Sequence, residues 1–524
     1  MKTNYKGIKI YLSLLFLVLF LSNCEQEEFF ELTNPPEFPW LNMEELERGV
    51  VTPYNISFSG SWGNNLGDDR LIFACMSDMV YLLPNTSADI PFEEMYFRWT
   101  EDQMSKANSS FRRSYLAITH ANSVLDFLEE NEYKPYEGMT TIDFQNIDRI
   151  RGEMLFMRGY TYFYLSRRNA PVPGAPNFST EEILPLRLST PTNAVDANSA
   201  NYVSTEVIYQ QIISDLQAAK SLLPEEFISG VHHPSYADGR ATKFAATAML
   251  ARVYFQLGEM DKALTEINEV IAGPFDLSED PIEAFNKDTP TKGREVIWST
   301  SNNDPVIVRP NKIPTSMNWS DYRVTNGGRG AFHRRCTWNQ FPLSHSTLQR
   351  IGWMDQNLDV TEEAIQDKRY QQLFWRLEGN PGTTKADPII YEMQYPHIKE
   401  PMVWGDKYYR ATDGQRTNIP IIRLAEMLLS RAIIQFNNGN IAGAIQDVNL
   451  VRERAGLAPL TTLTAEDIHQ ERIKELCFEG DWFHYVQALQ LPVLPGDRNA
   501  EEIPFPYANL YWQLPQSELD FKTQ

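Results

Sequence analysis

The sequence predicts a mainly α-helical protein, a scaffold of packed helix pairs carrying long irregular insertions of loop and short strand. Three observations predict it. First, residues 418 to 454 read as two helices around a tight turn. Leu424, Met427, Leu428, Arg431 and Ile434 recur at three- and four-residue spacing, which sets them on one helix face. Asn437-Asn438-Gly439-Asn440 follows, and Gly and Asn tolerate the left-handed conformation of a helix end. Ala444, Ile445, Val448 and Val451 form the buried face of the return helix, and the small Ala442, Gly443 and Ala444 let the two backbones approach. Second, Arg240 to Ala272 repeats this block. Ala251 aligns with Ala432, Phe255 with Phe436, Gly258 with Gly439, Ala263 with Ala444 and Ile267 with Val448, all at one offset of 181 residues. Aromatics in the first helix, glycine at the turn and alanine at the close contact make a tetratricopeptide-like layout, whose pairs bury their apolar faces by stacking on neighbours. Third, residues 273 to 417, whose stretch 303 to 335 has no helical period, hold six of the chain's eleven tryptophans: Trp298, Trp319, Trp338, Trp353, Trp375 and Trp404.

The chain opens with an export segment at 1–23. Lys2, Lys6 and Lys9 form a basic start, and Ile10 to Leu21 is an apolar run too short for a comfortable membrane span. It ends at Leu21-Ser22-Asn23-Cys24, which resembles a bacterial lipoprotein signal with Cys24 as the lipidated residue. Residues 24–42 read as an extended tether, acidic at Glu25-Gln26-Glu27-Glu28 and stiffened by Pro35, Pro36 and Pro39. A helical region, 43–272, follows. Ala107 to Asn131 is a long helix with Phe111, Tyr115, Ile118, Ala121, Asn122, Leu125 and Leu128 on one side. Ile147 to Arg168 is a second, whose aromatic stripe reads as core. Prolines break 169 to 200, and Ser204 to Leu223 returns to helix ahead of Pro224. The insertion 273–417 interrupts the array of about four helix pairs. Loops of that length in a compact domain are functional or disordered, and their Trp and Tyr argue against disorder. The last region, 418–524, holds a third helix capped by Thr464 with Asp467 three positions on, carrying Ile468, Ile473, Leu476 and Phe478 and stopping at Gly480.

The ordered residues Pro420, Arg423-Leu-Ala-Glu426, Gly439, Ala444, Asn449-Leu-Val-Arg452-Glu-Arg454-Ala-Gly456-Leu457, Arg472, Glu475-Leu476 and Phe478-Glu479-Gly480 resemble the C-terminal pattern of the SusD/RagB family of bacterial surface lipoproteins. Tyr115 to Asn122, Val207 to Leu223 and Asp367-Lys-Arg369 extend the likeness over nearly the whole mature chain. One departure is Asp481, where the family has a basic residue; Trp482 keeps the aromatic. The resemblance implies a lipid-anchored protein facing outward from the outer membrane. It implies ligand capture on loops around the scaffold and delivery to a TonB-dependent β-barrel transporter.

The ligand chemistry has its own argument. A sugar ring offers an apolar face for an aromatic ring and a rim of hydroxyls for Asn, Asp or Arg. Two stretches combine these: Trp62, Asn64 and Asp68 within Ser59 to Arg70, and Trp319, Asp321, Tyr322 and Arg323. They are the candidate binding residues, with Trp99 and Trp338 behind them. A formal net charge of −22, made more negative when the basic leader leaves, excludes general phosphate-backbone binding and suits a neutral ligand. No catalytic residues are assigned, because no hydrolase, metalloprotease or nucleotide motif stands out. No metal or cofactor is expected, and His232-His233 lacks a second ligand cluster. Arg423 with Glu426, and Arg452 with Arg454, read as structural charges on packed helices. Cys75, Cys336 and Cys477 read as buried thiols with at most one disulfide. The reading is therefore oligosaccharide capture. Peptide capture within the same family, a surface glycoside hydrolase and a purely structural scaffold are the alternatives.

Overall fold

The computed structural model describes residues 40–58, 69–82, 90–98, 107–237, 239–285, 294–300, 341–377, 401–405, 407, 419–507 and 510–522. The chain divides into two units, Met1–Leu46 and Glu47–Gln524. In the first, the Asn42 side chain accepts the Glu45 N–H at 3.0 Å, and the Glu45 carboxylate accepts the Leu41 N–H at 2.8 Å. These bonds fix the start of α1 (Met43–Phe58).

In the second unit α2 (Asp69–Met76) and α3 (Ile90–Tyr96) precede the two longest helices, α4 (Ala107–Glu130) and α5 (Thr141–Asn169). The start of α5 comes six residues before the expected Ile147. Thr140 Oγ1 accepts the Asp143 N–H at 3.3 Å and Asp143 accepts the Thr140 N–H at 2.7 Å, so two otherwise orphaned donors are satisfied. The aromatic stripe is core: Phe156, Tyr160, Tyr162 and Phe163 are buried. An antiparallel pair, β1 (Glu182–Pro185) with β2 (Tyr202–Ser204), brackets α6 (Ala194–Asn198). Then α7 (Thr205–Leu222) begins at the Ser204 cap.

The first repeat pair is α8 (Lys243–Leu257) and α9 (Met260–Ile271). Short elements occupy the described parts of the insertion: β3 (Val296–Ser299), α10 (His345–Arg350), α11 (Glu362–Gln366), α12 (Lys368–Leu373), β4 (Phe374–Leu377) and β5 (Met402–Gly405). The C-terminal region follows with β6 (Pro420–Arg423), α13 (Leu424–Asn437), α14 (Ile441–Arg454), α15 (Ala465–Leu476), α16 (Trp482–Ala488) and α17 (Gln516–Lys522). The strand β6 was not expected; it pairs antiparallel with β3. The third helix ends at Leu476, four residues short of the expected Gly480, because Phe478 turns to a φ of +64°.

The repeat register holds in space. Gly258 and Gly439 sit at φ +76° and +80°, the left-handed turn the layout requires. Ala251, Ala432, Ala263, Ala444, Ile267 and Val448 are all buried. Successive helices pack in order: α4 on α5, α5 on α7, α7 on α8, α8 on α9, α9 on α13, α13 on α14. The insertion thus interrupts the chain but leaves the stack continuous, since α9 packs directly on α13. Of the insertion tryptophans, Trp298, Trp353 and Trp404 are buried core residues. Cys75 and Cys477 are buried and unpaired, and burial pushes the Cys477 thiol up to about 11.

Candidate functional site

Trp62, Asn64, Asp68, Trp319, Asp321, Tyr322 and Arg323 lie outside the described residues, as do Cys24, Trp99 and Trp338. The structure does place the residues that flank the two aromatic stretches, and it brings them together. Phe58, the last described residue before Trp62, meets the ring of Trp298 edge-on at 5.6 Å. Trp298 lies in β3, just before the stretch that holds Trp319. Its indole also contacts Phe156 at 4.8 Å and Tyr160 at 5.0 Å, and its N–H donates to Gly239 O at 3.2 Å. On the far side of the first stretch, Arg70 is buried in α2 and donates to Pro420 O. Beyond β3, the Thr300 N–H donates to Ile419 O at 2.9 Å. Both flanks of 59–68, the N-terminal flank of 301–340 and the C-terminal flank of 408–418 therefore meet around β3 and β6. Arg70 itself, the end of the first candidate stretch, is spent on the core.

Below these flanks lies a buried charge cluster. Arg423 donates to Glu479 at 2.9 and 2.8 Å, to Glu475 at 2.9 Å and to Glu295. Arg454 bonds Glu295 at 2.8 Å and Glu475 at 2.6 Å. Lys407 bonds Glu479 at 2.7 Å. Arg369 grips Asp367 at 2.9 and 2.8 Å and reaches Glu471 at 2.6 Å, which Arg452 also bonds at 3.0 Å. The cations and carboxylates match one for one. Burial alone would raise the pKa of Glu479, but Arg423 and Lys407 overcome it and hold the carboxyl at about 2. Glu475 is likewise held far below the usual range, burial being outweighed by Arg454, Arg423 and Arg369. Such carboxylates stay ionised and cannot serve as general acids near neutrality.

The expected pairing of Arg423 with Glu426 is corrected by this geometry. Arg423 sits in β6, not on a helix, and Glu426 is held by Arg252 at 2.7 and 2.6 Å. The altered charge at Asp481 is also balanced: Arg472 binds both of its oxygens, at 2.7 and 2.6 Å. No spacing rule could find Glu295 or Lys407, because they join the cluster from the insertion. His232 Nδ1 accepts the Ile228 N–H at 3.0 Å and His233 bonds Ser235 at 2.8 Å. Among the described residues no group of His, Cys, Asp and Glu has the arrangement of a metal site.

A cavity of about 40 Å³ lies between α5, α8, α13, α15 and α16. Pockets for drug-sized organic ligands run to roughly 300 Å³ or more, so this one takes a water or an ion and not a sugar ring.

Comparison with known proteins identifies the lineage. A family model described as starch-binding and associating with the outer membrane matches residues 84–255, and the SusD family model matches 294–484. SusD-like protein P25 of Formosa agariphila is 25% identical over 483 residues, 88% of this chain and 85% of that protein. A SusD superfamily structure from Bacteroides fragilis superposes with a TM-score of 0.68 at 20% identity, over 92% of this chain and 98% of that one. Surface glycan-binding protein A from Bacteroides uniformis gives 0.65 at 19%, over 91% and 98%. The models take in the helices from α3 to most of α8, much of the insertion and the C-terminal charge cluster, and on that ground this chain belongs to the SusD/RagB family.

Proposed function

We propose that the protein captures an oligosaccharide at the cell surface and passes it to a TonB-dependent β-barrel transporter, making and breaking no covalent bond. The observation that carries this reading is the meeting of the flanks of the two aromatic stretches, through Phe58 against Trp298. Stretches rooted side by side can offer Trp62 and Trp319 to one ligand. In this reading the two indoles stack on sugar faces, and Asn64, Asp68, Asp321, Tyr322 and Arg323 bond the hydroxyl rim. The family, with a member named for surface glycan binding, supports the ligand class. The net charge of −22 favours a neutral glycan over an acidic one. Cys24 anchors the chain through acyl groups, each buried methylene contributing roughly 0.8 kcal/mol, on the outer face of the outer membrane.

Affinity electrophoresis of residues 25–524 through gels containing single polysaccharides tests the reading, with a peptide mixture titrated in parallel by calorimetry. One glycan retards the protein, and Trp62→Ala or Trp319→Ala weakens that retardation at least about tenfold, the loss of an aromatic anchor. Heat on adding peptides without retardation by any glycan replaces the glycan with a peptide. Shortened glycan after the run replaces binding with hydrolysis.

A further inference from the structure

The two flanks of the stretch that holds Trp62 are seated on one short ladder. The near flank is Phe58, the last residue of α1, whose ring lies edge-on to Trp298 at 5.6 Å and 5.7 Å from Tyr160. The far flank is Arg70 in α2, 7% exposed, whose guanidinium donates to Pro420 O. In the β3–β6 ladder Trp298 faces Ile422 and Ser299 faces Pro420, so the two flanks land on neighbouring rungs. The stretch that holds Trp319 leaves from the end of the same ladder. The Thr300 N–H donates to Ile419 O at 2.9 Å, and the Ile419 N–H donates to Thr300 Oγ1 at 3.2 Å. Two adjacent carbonyls, Ile419 O and Pro420 O, thus hold the roots of two stretches that are far apart in the chain.

A guanidinium is a costly way to fill the place of Arg70. Taking it out of water costs more than burying an apolar side chain of similar volume. Its acceptor, moreover, lies 350 residues away rather than in α2. What the guanidinium adds is direction, since a hydrogen bond to one carbonyl fixes where the chain re-enters the scaffold. The backbone at Arg70 is seated too: a Cβ added to Gly480 would come within 3.1 Å of the Arg70 Cα. At the near flank the edge-on ring of Phe58 fixes an orientation that an aliphatic side chain would leave free.

We propose that Phe58 and Arg70 are positioning residues for ligand capture. They touch no ligand; they hold the Trp62 stretch at a set distance from the root of the Trp319 stretch, so that both indoles engage one oligosaccharide chain. This rests on the capture reading above. Two contacts to one ligand reinforce each other only while the spacing of their carriers matches the ligand, and the gain falls when either carrier is let go.

The test uses the protein from residue 25 onward in gels of amylopectin, dextran, xylan and galactomannan, each a neutral polysaccharide. Circular dichroism first establishes that each variant is folded at the temperature of the gel. Arg70→Met and Phe58→Leu should each weaken retardation by the polysaccharide that holds the wild type, at least about threefold. In either background Trp62→Ala should cost no more than about twofold further, against about tenfold in the wild type, because its stretch is no longer held. Trp319→Ala should keep its full cost in both, since its root on Ile419 is untouched. A merely structural role would not produce that asymmetry. Equal costs for Trp62→Ala in variant and wild type overturn the proposal, and so does an equal loss of effect at Trp62 and Trp319. If Arg70→Met does not fold, Phe58→Leu reads the same coupling from the other flank. A wild type that no polysaccharide retards removes the capture reading and the proposal with it, whereas a retarded protein with independent costs removes the positioning role alone.

Discussion

Two buried charge clusters lie among the described residues, and they do different work. The N-terminal one joins Glu47 of α1, Arg149 and Glu153 of α5, and Arg240 just before α8. Arg240 bonds Glu153 at 2.7 and 2.8 Å and Glu47 at 2.9 Å, and Arg149 bonds the same two carboxylates. Every member belongs to the helical scaffold. The C-terminal cluster instead draws Glu295, Asp367, Arg369 and Lys407 from the insertion and fastens them to Arg423, Arg452, Arg454, Glu471, Glu475 and Glu479. Neither cluster is evidence of net stability by itself, because desolvation consumes much of the Coulomb gain. What the second one supplies is attachment. Arg423, Arg452, Arg454, Glu475 and Glu479, all part of the recognisable family pattern, are spent on holding the insertion in place.

The sharpest way to break this comparison is to remove one guanidinium from each cluster. Arg423→Met strips Glu295, Glu475 and Glu479 of a shared cation and should cost about 3–5 kcal/mol. Arg149→Met should cost less, about 3 kcal/mol at most, because Arg149 bonds two carboxylates where Arg423 bonds three. Urea unfolding measures both. Hydrogen exchange should also locate the first loss in β3 and β6 for Arg423→Met, and in α5 for Arg149→Met. Equal costs, or the reverse order, would sink the claim that Arg423, which bonds three carboxylates, carries more of its cluster than Arg149, which bonds two.

Acid probes the same contrast more gently. Glu475, Glu479 and Asp367 in the C-terminal cluster are depressed below their ordinary values, against Glu47 in the other. A depressed carboxylate contributes stability that is fully present above its unfolded value, 4.5 for a glutamate, and is lost as pH falls toward the folded value, about 2 for Glu479. Near pH 4 the loss is on the order of 1 kcal/mol for each such group. Exchange protection in β3, β6 and α15 should therefore fall between pH 5 and pH 3 ahead of that in α5. Uniform loss across both regions would contradict the unequal loading of the clusters.

The sequence made the helices legible because their signals are local. Thr464-x-x-Asp467 announced the start of α15. The same signal at Thr140-x-x-Asp143 starts α5, but the apolar period was clearest from Ile147, so the helix was begun there. The strand β6 was invisible for a different reason. Four residues have no period of their own, and the partner β3 lies near the far end of the insertion. Ion-pair partners failed likewise: Glu426 stands one helical turn from Arg423, whereas the real partners are 52, 56 and 128 residues away. At the candidate site, Trp298 was one of six insertion tryptophans and looked like the rest. Only packing shows it to be the plug on which the flanks of the aromatic stretches rest.

The smallest effect tests the repeat itself. Gly258 and Gly439 share a left-handed turn, and a Cβ added to either meets nothing within 4 Å. Gly258→Ala and Gly439→Ala should each cost ~1 kcal/mol, the backbone penalty alone, and the two urea midpoints should shift equally. Gly480 has the same backbone sign, φ +77°, but a Cβ there would come within 3.1 Å of the Arg70 backbone. Gly480→Ala should therefore cost clearly more than either. If Gly258 and Gly439 differ by as much as Gly480 differs from them, the 181-residue register marks a likeness of sequence without a likeness of energetics. If they agree, the two pairs are one unit used twice, and the contrast between the halves of the molecule lies in the charges around the pairs.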